Sequence, residues 1–377
     1  MKIESLRYEE GRTGWTLEEA HFNGFNLLVG PSGAGKTKII SCLERICRVA
    51  TKRIHPRDPL DGERWTVRFS HSGELYTWEL RSAILQGQGS EDLLVDALAR
   101  RSQIEFERLT RNERDVVVER GPDRMVFEGR DAPLLTATES VVALLSDPLV
   151  SAIQSAFHLL VFSQATIPGM IRLMIDSWQS VTERISRSRS KYTTFDELVA
   201  AADLPIHTKA YLLQEIAPDR FDEIKSRFCE MFSSVEDLRI GLLSESEIAQ
   251  QFGRSAEGIL SFIKERGTAT WIPETAMSSG MQRTLLHLLE VSLAPPGSVF
   301  IIDEFENSLG VNCMPSLTEF ILEHAPQHQF IITSHHPYII NQIPIDRWKL
   351  VQRRASRVRV VPPATSLRSR APPTSTP

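Results

Sequence analysis

The order of apolar and polar positions changes character three times along the chain. Phe25-Asn26-Leu27-Leu28-Val29 is an apolar run of strand length. It enters a glycine-rich turn, Gly30 to Gly35, after which the period becomes helical from Lys36 through about Val49. Over residues 65–80 the period is two. Trp65, Val67 and Phe69 share one side, His71-Ser72-Gly73-Glu74 supplies a turn, and Tyr76, Trp78 and Leu80 share one side of the return, so a hairpin is predicted. Short runs at Val116–Val118 and Met125–Phe127 extend it to an antiparallel meander inserted after the first helix. From about Ala137 to Glu265 the pattern reads as helical, with loops at Pro148, Pro168, Pro205 and Pro218. No heptad pattern survives for three repeats, which argues against a long coiled coil, and no internal repeat is visible. The end of the chain predicts a helix from Ser279, a strand at Val299–Ile302, a helix near Ser316–Glu323 and a strand at Gln329–Thr333. Residues 362–377, rich in Pro, Ser, Thr and Arg, read as a disordered tail.

Composition narrows the class. With 377 residues, 41% hydrophobic and 24% charged, the chain can bury one or two sizeable cores and is neither wholly disordered nor fibrous. Its longest uncharged stretch, Pro148 to Ile171, holds Gln154, His158, Gln164 and Pro168, and so reads as buried helix and turn with no membrane span. The start, MKIESLRYEE, is charged where a secretory signal is apolar, so a cytoplasmic protein is expected. Cys42, Cys47, Cys229 and Cys313 form no CxxC pair and have no His partner at metal spacing, which reads as reduced core thiols. The net charge of −5 is uneven. Residues from Arg347 onward carry eight basic side chains and no acid, leaving −13 for residues 1–346. Such a basic arm suits nucleic acid phosphates, and equally suits a solvated strand and tail.

Chemistry concentrates in four segments. Gly30-Pro31-Ser32-Gly33-Ala34-Gly35-Lys36-Thr37 fits G-x-x-x-x-G-K-[ST] between a strand and a helix. The glycines let successive N–H groups point into one concavity, the helix N-terminus adds partial positive charge, and together they cradle phosphates. Lys36 is positioned to neutralise β/γ oxygens, and the Thr37 hydroxyl to hold Mg2+. The second segment, Ser298 to Glu304, is an apolar strand ending in two acids: Asp303 for Mg2+, through water, and Glu304 as the general base for an attacking water. The third, Met277-Ser278-Ser279-Gly280-Met281-Gln282, opens a helix with Met281, Leu285, Leu288 and Leu289 on one face. Alone it reads as an ordinary N-cap. In the fourth, Ile331 to Pro337, a strand runs into Ser334-His335-His336.

In this order the four segments resemble the ABC-type ATPases of the SMC/RecF/OLD (overcoming lysogenization defect) group, in particular the stand-alone AAA-labelled ATPases of bacterial genomes, many of them found in antiphage defence systems. Gly280 precedes Asp303 by 23 positions, and Glu304-Phe305-Glu306-Asn307-Ser308-Leu309 matches that group's Asp-Glu-x-Glu-Asn-x-Leu stretch. The resemblance implies an α/β P-loop NTPase fold: an ABC-ATPase head with a mixed core sheet, an antiparallel β subdomain and an inserted helical lobe. It divides the chain into residues 1–136 and 271–361 as two halves of the ATPase core, 137–270 as the lobe, and 362–377 as the tail. Ser278, Ser279 and Gly280 become the signature that caps the γ-phosphate of a nucleotide held by a second subunit. His335, two residues before Pro337, becomes the switch histidine, with His336 as its rival.

There are departures. Met281 stands where transporter signatures have Gln, and Gly310 replaces the Asp or His that usually follows Leu309. A glutamine to complete the Mg2+ shell has three candidates, Gln86, Gln88 and Gln164. No nuclease domain is expected after His335. The activity expected is Mg2+-dependent ATP hydrolysis in a homodimer closed through ATP, acting as sensor or scaffold of a defence system with a separate nuclease or toxin effector. The alternative is a RecF-like DNA repair ATPase touching DNA through the basic C-terminal arm.

Overall fold

The computed structural model describes residues 1–53, 59–84, 103–163, 181–201, 204–243 and 258–363. The chain forms two compact units. The first comprises Met1–Phe162, Gly297–Glu304 and Ala325–Pro377, the second Ser163–Pro296 and Phe305–His324.

The first unit is built on a sheet whose fourteen described strands are β1 (Lys2–Glu10), β2 (Trp15–His21), β3 (Phe25–Val29), β4 (Glu63–His71), β5 (Glu74–Ser82), β6 (Ile104–Arg111), β7 (Asp115–Arg120), β8 (Met125–Phe127), β9 (Arg130–Ala132), β10 (Leu160–Ser163), β14 (Val299–Ile302), β15 (Gln329–Thr333), β16 (Trp348–Arg354) and β17 (Arg357–Val361). They are ordered β10-β14-β15-β3-β16-β17-β2-β1-β4-β5-β6-β7-β8-β9. Strands β14, β15, β3 and β16 are mutually parallel, and the run from β2 to β9 is antiparallel. The sheet is therefore mixed, as the resemblance implied. Helix Lys36–Ala50 lays Ile39, Leu43 and Ile46 into a core shared with Leu28, Ile301, Ile331 and Val351. The hairpin expected over 65–80 is present. Its inner face sets Trp78 and Phe69 edge-on against Phe157 at 5.6 and 5.2 Å, sealing the meander with helix Pro148–Phe157.

Two buried ionic networks set the edges of this core. Arg45 of the first helix makes a two-pronged bond to Glu63 of β4 at 2.9–3.2 Å, and Tyr8 Oη donates to the same carboxylate at 2.6 Å. Burial, and then the Glu63 charge, hold the Tyr8 phenol well above its usual pKa. Glu107, wholly buried, accepts from Arg120 at 2.9 Å, Trp78 Nε1 at 3.0 Å and Val141 N–H at 2.8 Å. An acid this deep survives only with such partners.

In the second unit, β11 (Val235–Leu242), β12 (Ile259–Glu265) and β13 (Trp271–Pro273) form an antiparallel sheet. Around it lie helices Val181–Lys191, Phe195–Ala200, Ile206–Ile216, Pro218–Met231, Ser279–Ser292 and Met314–His324. The helical reading of residues 137–265 is thus corrected at β10, β11 and β12. Ile259 to Ile263 are all buried, apolar but for Ser261, and a run buried on both faces has no period to separate strand from helix.

The basic stretch from Arg347 forms strands up to Val361, the second of the two readings left open for it. It is no free arm: β16 pairs with β3, and β17 with both β16 and β2. Lys349 is buried there, while Arg353, Arg354, Arg357 and Arg359 are exposed. Residues 364–377, where the tail was expected, lie outside the described residues, as do Pro168, Gln86, Gln88 and Gln164. Among the described residues no helix is long and apolar enough to cross a membrane.

One histidine carries a pH signature. His287, on helix Ser279–Ser292, is fully buried, with Nδ1 3.3 Å from Ser163 Oγ, and burial followed by the Arg283 charge pushes its pKa down from 6.5 to about 3. Below pH 6.5 the unfolded chain accepts a proton that the folded imidazole refuses, so stability falls as pH drops from there toward about 3. Between pH 6.5 and pH 5 this amounts to about 2 kcal/mol. Urea unfolding at those two pH values should show His287→Leu losing about 2 kcal/mol less than the parent protein over the interval.

Candidate nucleotide-binding site

Strand β3, held between β15 and β16, delivers the loop Gly30–Thr37 at its carboxyl end. Gly30 is required sterically, since a Cβ there would lie 2.5 Å from the carbonyl oxygen of Val351. Gly33 (φ +76°) and Gly35 (φ +104°) supply the left-handed turns, and around Gly33 the space for a Cβ is open. Gly35 is also the N-cap of helix Lys36–Ala50, which has no side-chain cap and no acid in its first turn. A helix start with neither a side-chain cap nor an acid is suited to an anion. Lys36 is 4% exposed, and its Nζ arches back to donate to Gly30 O at 2.8 Å and Pro31 O at 3.2 Å. Pro31, Ser32 and Thr37 are exposed, and Ala34 is buried with its N–H on Pro31 O at 3.1 Å. Arg353 of β16 donates to Gly33 O at 3.3 Å.

The acids end β14, two strands from β3. Its four residues are buried, Asp303 is half-buried and Glu304 is exposed. Glu304 takes φ +47°, a left-handed backbone that costs a side-chain-bearing residue about 1–3 kcal/mol and persists only where its surroundings enforce it. One contact on it comes from Thr333 at the end of β15. Its buried hydroxyl accepts from Glu304 N–H at 2.8 Å and donates to Asp303 Oδ1 at 2.5 Å. Sequence reasoning ended the strand at Thr333 and assigned it no role. The signal was the pairing of β14 with β15, because Ile302 opposite Ile332 sets Asp303 beside Thr333.

Beyond Thr333 the two histidines separate. His336 is the N-cap of helix Pro337–Gln342, with Nδ1 accepting from Tyr338 N–H at 3.3 Å and its own N–H on Ser334 Oγ at 3.1 Å. His335 is exposed. The ring that sequence left as a rival thus has a structural occupation.

The second unit carries Ser278–Gly280. Ser278 caps helix Ser279–Ser292, its Oγ accepting from Met281 N–H at 3.2 Å, so the hydroxyl's own proton is not spent on that bond. Ser278 and Ser279 are exposed. Gln282 Nε2 pins the preceding turn through Glu274 O at 2.6 Å and Met277 O at 3.2 Å, while the Glu274 carboxylate lies 2.9 Å from His207 Nε2. A Cβ on Gly280 would approach Ser308 O to 2.9 Å, so this glycine lets the Ser308–Gly310 segment close on the helix start.

Among the described residues no cluster of three His, Cys, Asp or Glu could cage a metal ion. The hard oxygens of Thr37 and Asp303 suit Mg2+, which takes one or two protein ligands and fills its shell with water and phosphate oxygens. Strands β14, β15 and β3 run parallel and in register, so the acids and the phosphate loop emerge at the same carboxyl edge. A family model described as "AAA domain, putative AbiEii toxin, Type IV TA system" matches residues 175–341. The described chain is α/β, with helices packed on a large mixed sheet and the glycine loop following β3. This P-loop chain is similar to three solved SMC heads. A head bound to the C-terminal winged-helix domain of ScpA has TM-score 0.48 and 14% identity over 96% of this chain and 98% of that one. The head domain from Thermotoga maritima has TM-score 0.43 and 13% identity over 96% and 99%. An Smc head with an extended coiled coil, bound to a ScpA domain derived from Pyrococcus furiosus, has TM-score 0.45 and 13% identity over 98% of each. No curated protein matches the sequence.

The two loop glycines should respond differently to alanine. Gly30→Ala forces the loop off the Val351 carbonyl and should cost about 1–3 kcal/mol with loss of nucleotide binding. Gly33→Ala meets open space and only a strained φ, at about 1–2 kcal/mol. Urea midpoints and a fluorescent-nucleotide titration of both variants would check the ranking.

Proposed function

We propose that this protein binds and hydrolyses ATP with Mg2+, as a homodimer whose closure is gated by the nucleotide. The observation that carries the reading is the helix N-terminus at Gly35–Lys36, which has no side-chain cap, on a loop with a buried lysine, in register with Asp303 and Glu304. Backbone N–H groups of Gly30–Thr37 hold the phosphates, and Lys36 exchanges its carbonyl partners for β/γ oxygens. Thr37 and Asp303 hold Mg2+, which neutralises charge on those oxygens when bound. Glu304 accepts a proton from a water whose oxygen attacks the γ-phosphorus. The bond to the β–γ bridging oxygen breaks, its electron pair stays with ADP, and phosphate leaves. His335 contacts the γ-phosphate and that water. Ser278, Ser279 and Gly280 come from the second subunit and aim a hydroxyl and a helix N-terminus at the same anion. ATP then holds two copies together and hydrolysis releases them, a cycle suited to a switch.

The biological role follows as sensor or scaffold ATPase of a bacterial antiphage defence system, its nuclease or toxin effector encoded separately. The match to a family model that names a toxin–antitoxin system supports this direction. A RecF-like DNA repair role is the second reading, favoured by the exposed arginines of β16 and β17.

Lys36→Ala should abolish nucleotide binding, because the loop loses its side-chain cation. Glu304→Gln should bind ATP, fail to turn it over and elute as a dimer in sizing chromatography with ATP. A Glu304→Gln protein that stays monomeric at micromolar concentration in saturating ATP would remove the dimer from the reading. For the role, truncation at Asp346 would delete two sheet strands, so replacing exposed Arg354, Arg357 and Arg359 by Gln is the cleaner experiment. Salt-dependent DNA binding lost in that variant favours repair, whereas co-purification with a toxic nuclease, and no DNA binding, favours defence.

A further inference from the structure

We infer that Thr333 is the positioning residue of the acid pair: one buried hydroxyl fixes the Asp303 carboxylate and holds Glu304 in its left-handed backbone, so that turnover depends on this hydroxyl while nucleotide binding does not. The inference rests on the ATPase reading above and adds a residue that none of the four motifs contains.

The hydrogen-bond chain has one direction. Glu304 N–H donates to Thr333 Oγ1, and Thr333 Oγ1–H donates to Asp303 Oδ1. The single hydroxyl proton is committed to the carboxylate, so the amide can meet only a lone pair, and both bonds exist together without conflict. At 1% exposure no bulk water replaces either of them. A threonine at a buried strand end has a bland explanation in β-branched packing, but packing asks nothing of Oγ1, and here both of its capacities are used on the two consecutive acids.

Two consequences follow for the chemistry. The bond to Oδ1 fixes the plane of the Asp303 carboxyl group, the group proposed to hold the metal. The bond to the Glu304 amide supplies the restraint that φ +47° requires, and the direction in which the Glu304 side chain leaves the backbone depends on that φ. A general base displaced by an ångström loses much of its rate effect while ground-state binding through the loop persists. Thr333 also lies on the same strand end as His335, two residues earlier, so the group proposed to meet the γ-phosphate and the anchor of both acids share one short backbone segment.

The test compares Thr333→Val, which keeps shape and β-branching and deletes the hydroxyl, with Thr333→Ser, which keeps the hydroxyl. Val should lower kcat about 10- to 100-fold with KM for ATP within about threefold, and Ser should restore kcat to within about threefold of the parent protein. A second readout is independent of turnover. Exchange of the Glu304 amide proton, followed by NMR without nucleotide or metal, should speed up at least about tenfold in Val and not in Ser. If Val does not fold, Thr333→Ala carries the same expectations. The inference is overturned if the hydroxyl-less variant keeps kcat within about twofold while Glu304→Gln is inactive, if Val and Ser are impaired equally, or if Glu304 amide protection is unchanged. Equal turnover in the parent protein and Glu304→Gln would instead remove Glu304 as the base, and no turnover in either would remove the ATPase reading itself; this inference goes with both.

Discussion

Three parallel strands that stop within a residue of one another are the constraint from which the site follows. Ile302 pairs with Ile332, and Thr333 with Leu28. What each strand carries next, Asp303-Glu304 from β14, Ser334-His335 from β15 and the glycine loop from β3, is thereby brought to one edge without any long side chain reaching for it. The strands hold this register because they are buried along nearly their whole length, with Leu27, Leu28, Ile302 and Ile331 at 0% exposure. A one-residue slip would send those side chains to the opposite face of the sheet, so the hydrophobic core and the site are specified by the same alignment.

At that edge lie a buried cation and a helix start without a side-chain cap. An ammonium 4% exposed is costly unless bonded, and Lys36 donates to the Gly30 and Pro31 carbonyls. Phosphate oxygens, being charged acceptors, are stronger partners for the same donor. The uncapped helix start suits the same acceptors. Helix Ser279–Ser292 offers a contrast, since Ser278 caps it within the chain and still retains a hydroxyl proton to donate. The two helix starts thus suit different tasks, one holding an anion through several backbone amides and the other adding a single directed donor.

The edge where the motifs meet was legible because its residues are contiguous. Glycine loop, lysine, acids and histidine each sit in an unbroken motif after an apolar strand, and β3, β14 and β15 fall where the apolar runs lie. Other strands were hidden for reasons that can be named. β1 carries bulges between Ile3 and Ser5 against β4, and between Leu6 and Tyr8 against β2, and each breaks the period of two. β12 is buried on both faces from Ile259 to Ile263 and shows no period there. β16 buries Lys349, against the rule that lysine marks a surface position. Thr333 was hidden differently: its role arises from a pairing between strands separated by a helix, and no local pattern contains it.

The division into two units bears on the proposed assembly. The phosphate loop, Asp303, Glu304, Thr333 and His335 all belong to the first unit, whereas Ser278–Gly280 belongs to the second. The boundary falls between Glu304 and Phe305, directly after the proposed base, and within six residues the chain closes on the signature helix where Gly280 admits the Ser308 carbonyl. The segment from Glu304 to Ser308, left-handed at both ends, thus runs from the acid pair to a close approach on Gly280 that a Cβ there would block. If the acid pair and Ser278–Gly280 act on different nucleotides in a closed dimer, this segment is a short path by which a change at Glu304 reaches the start of the helix at Ser279. Its strained ends then make it a sensitive place to couple them, because a change at either terminus must be absorbed by a backbone with few alternatives.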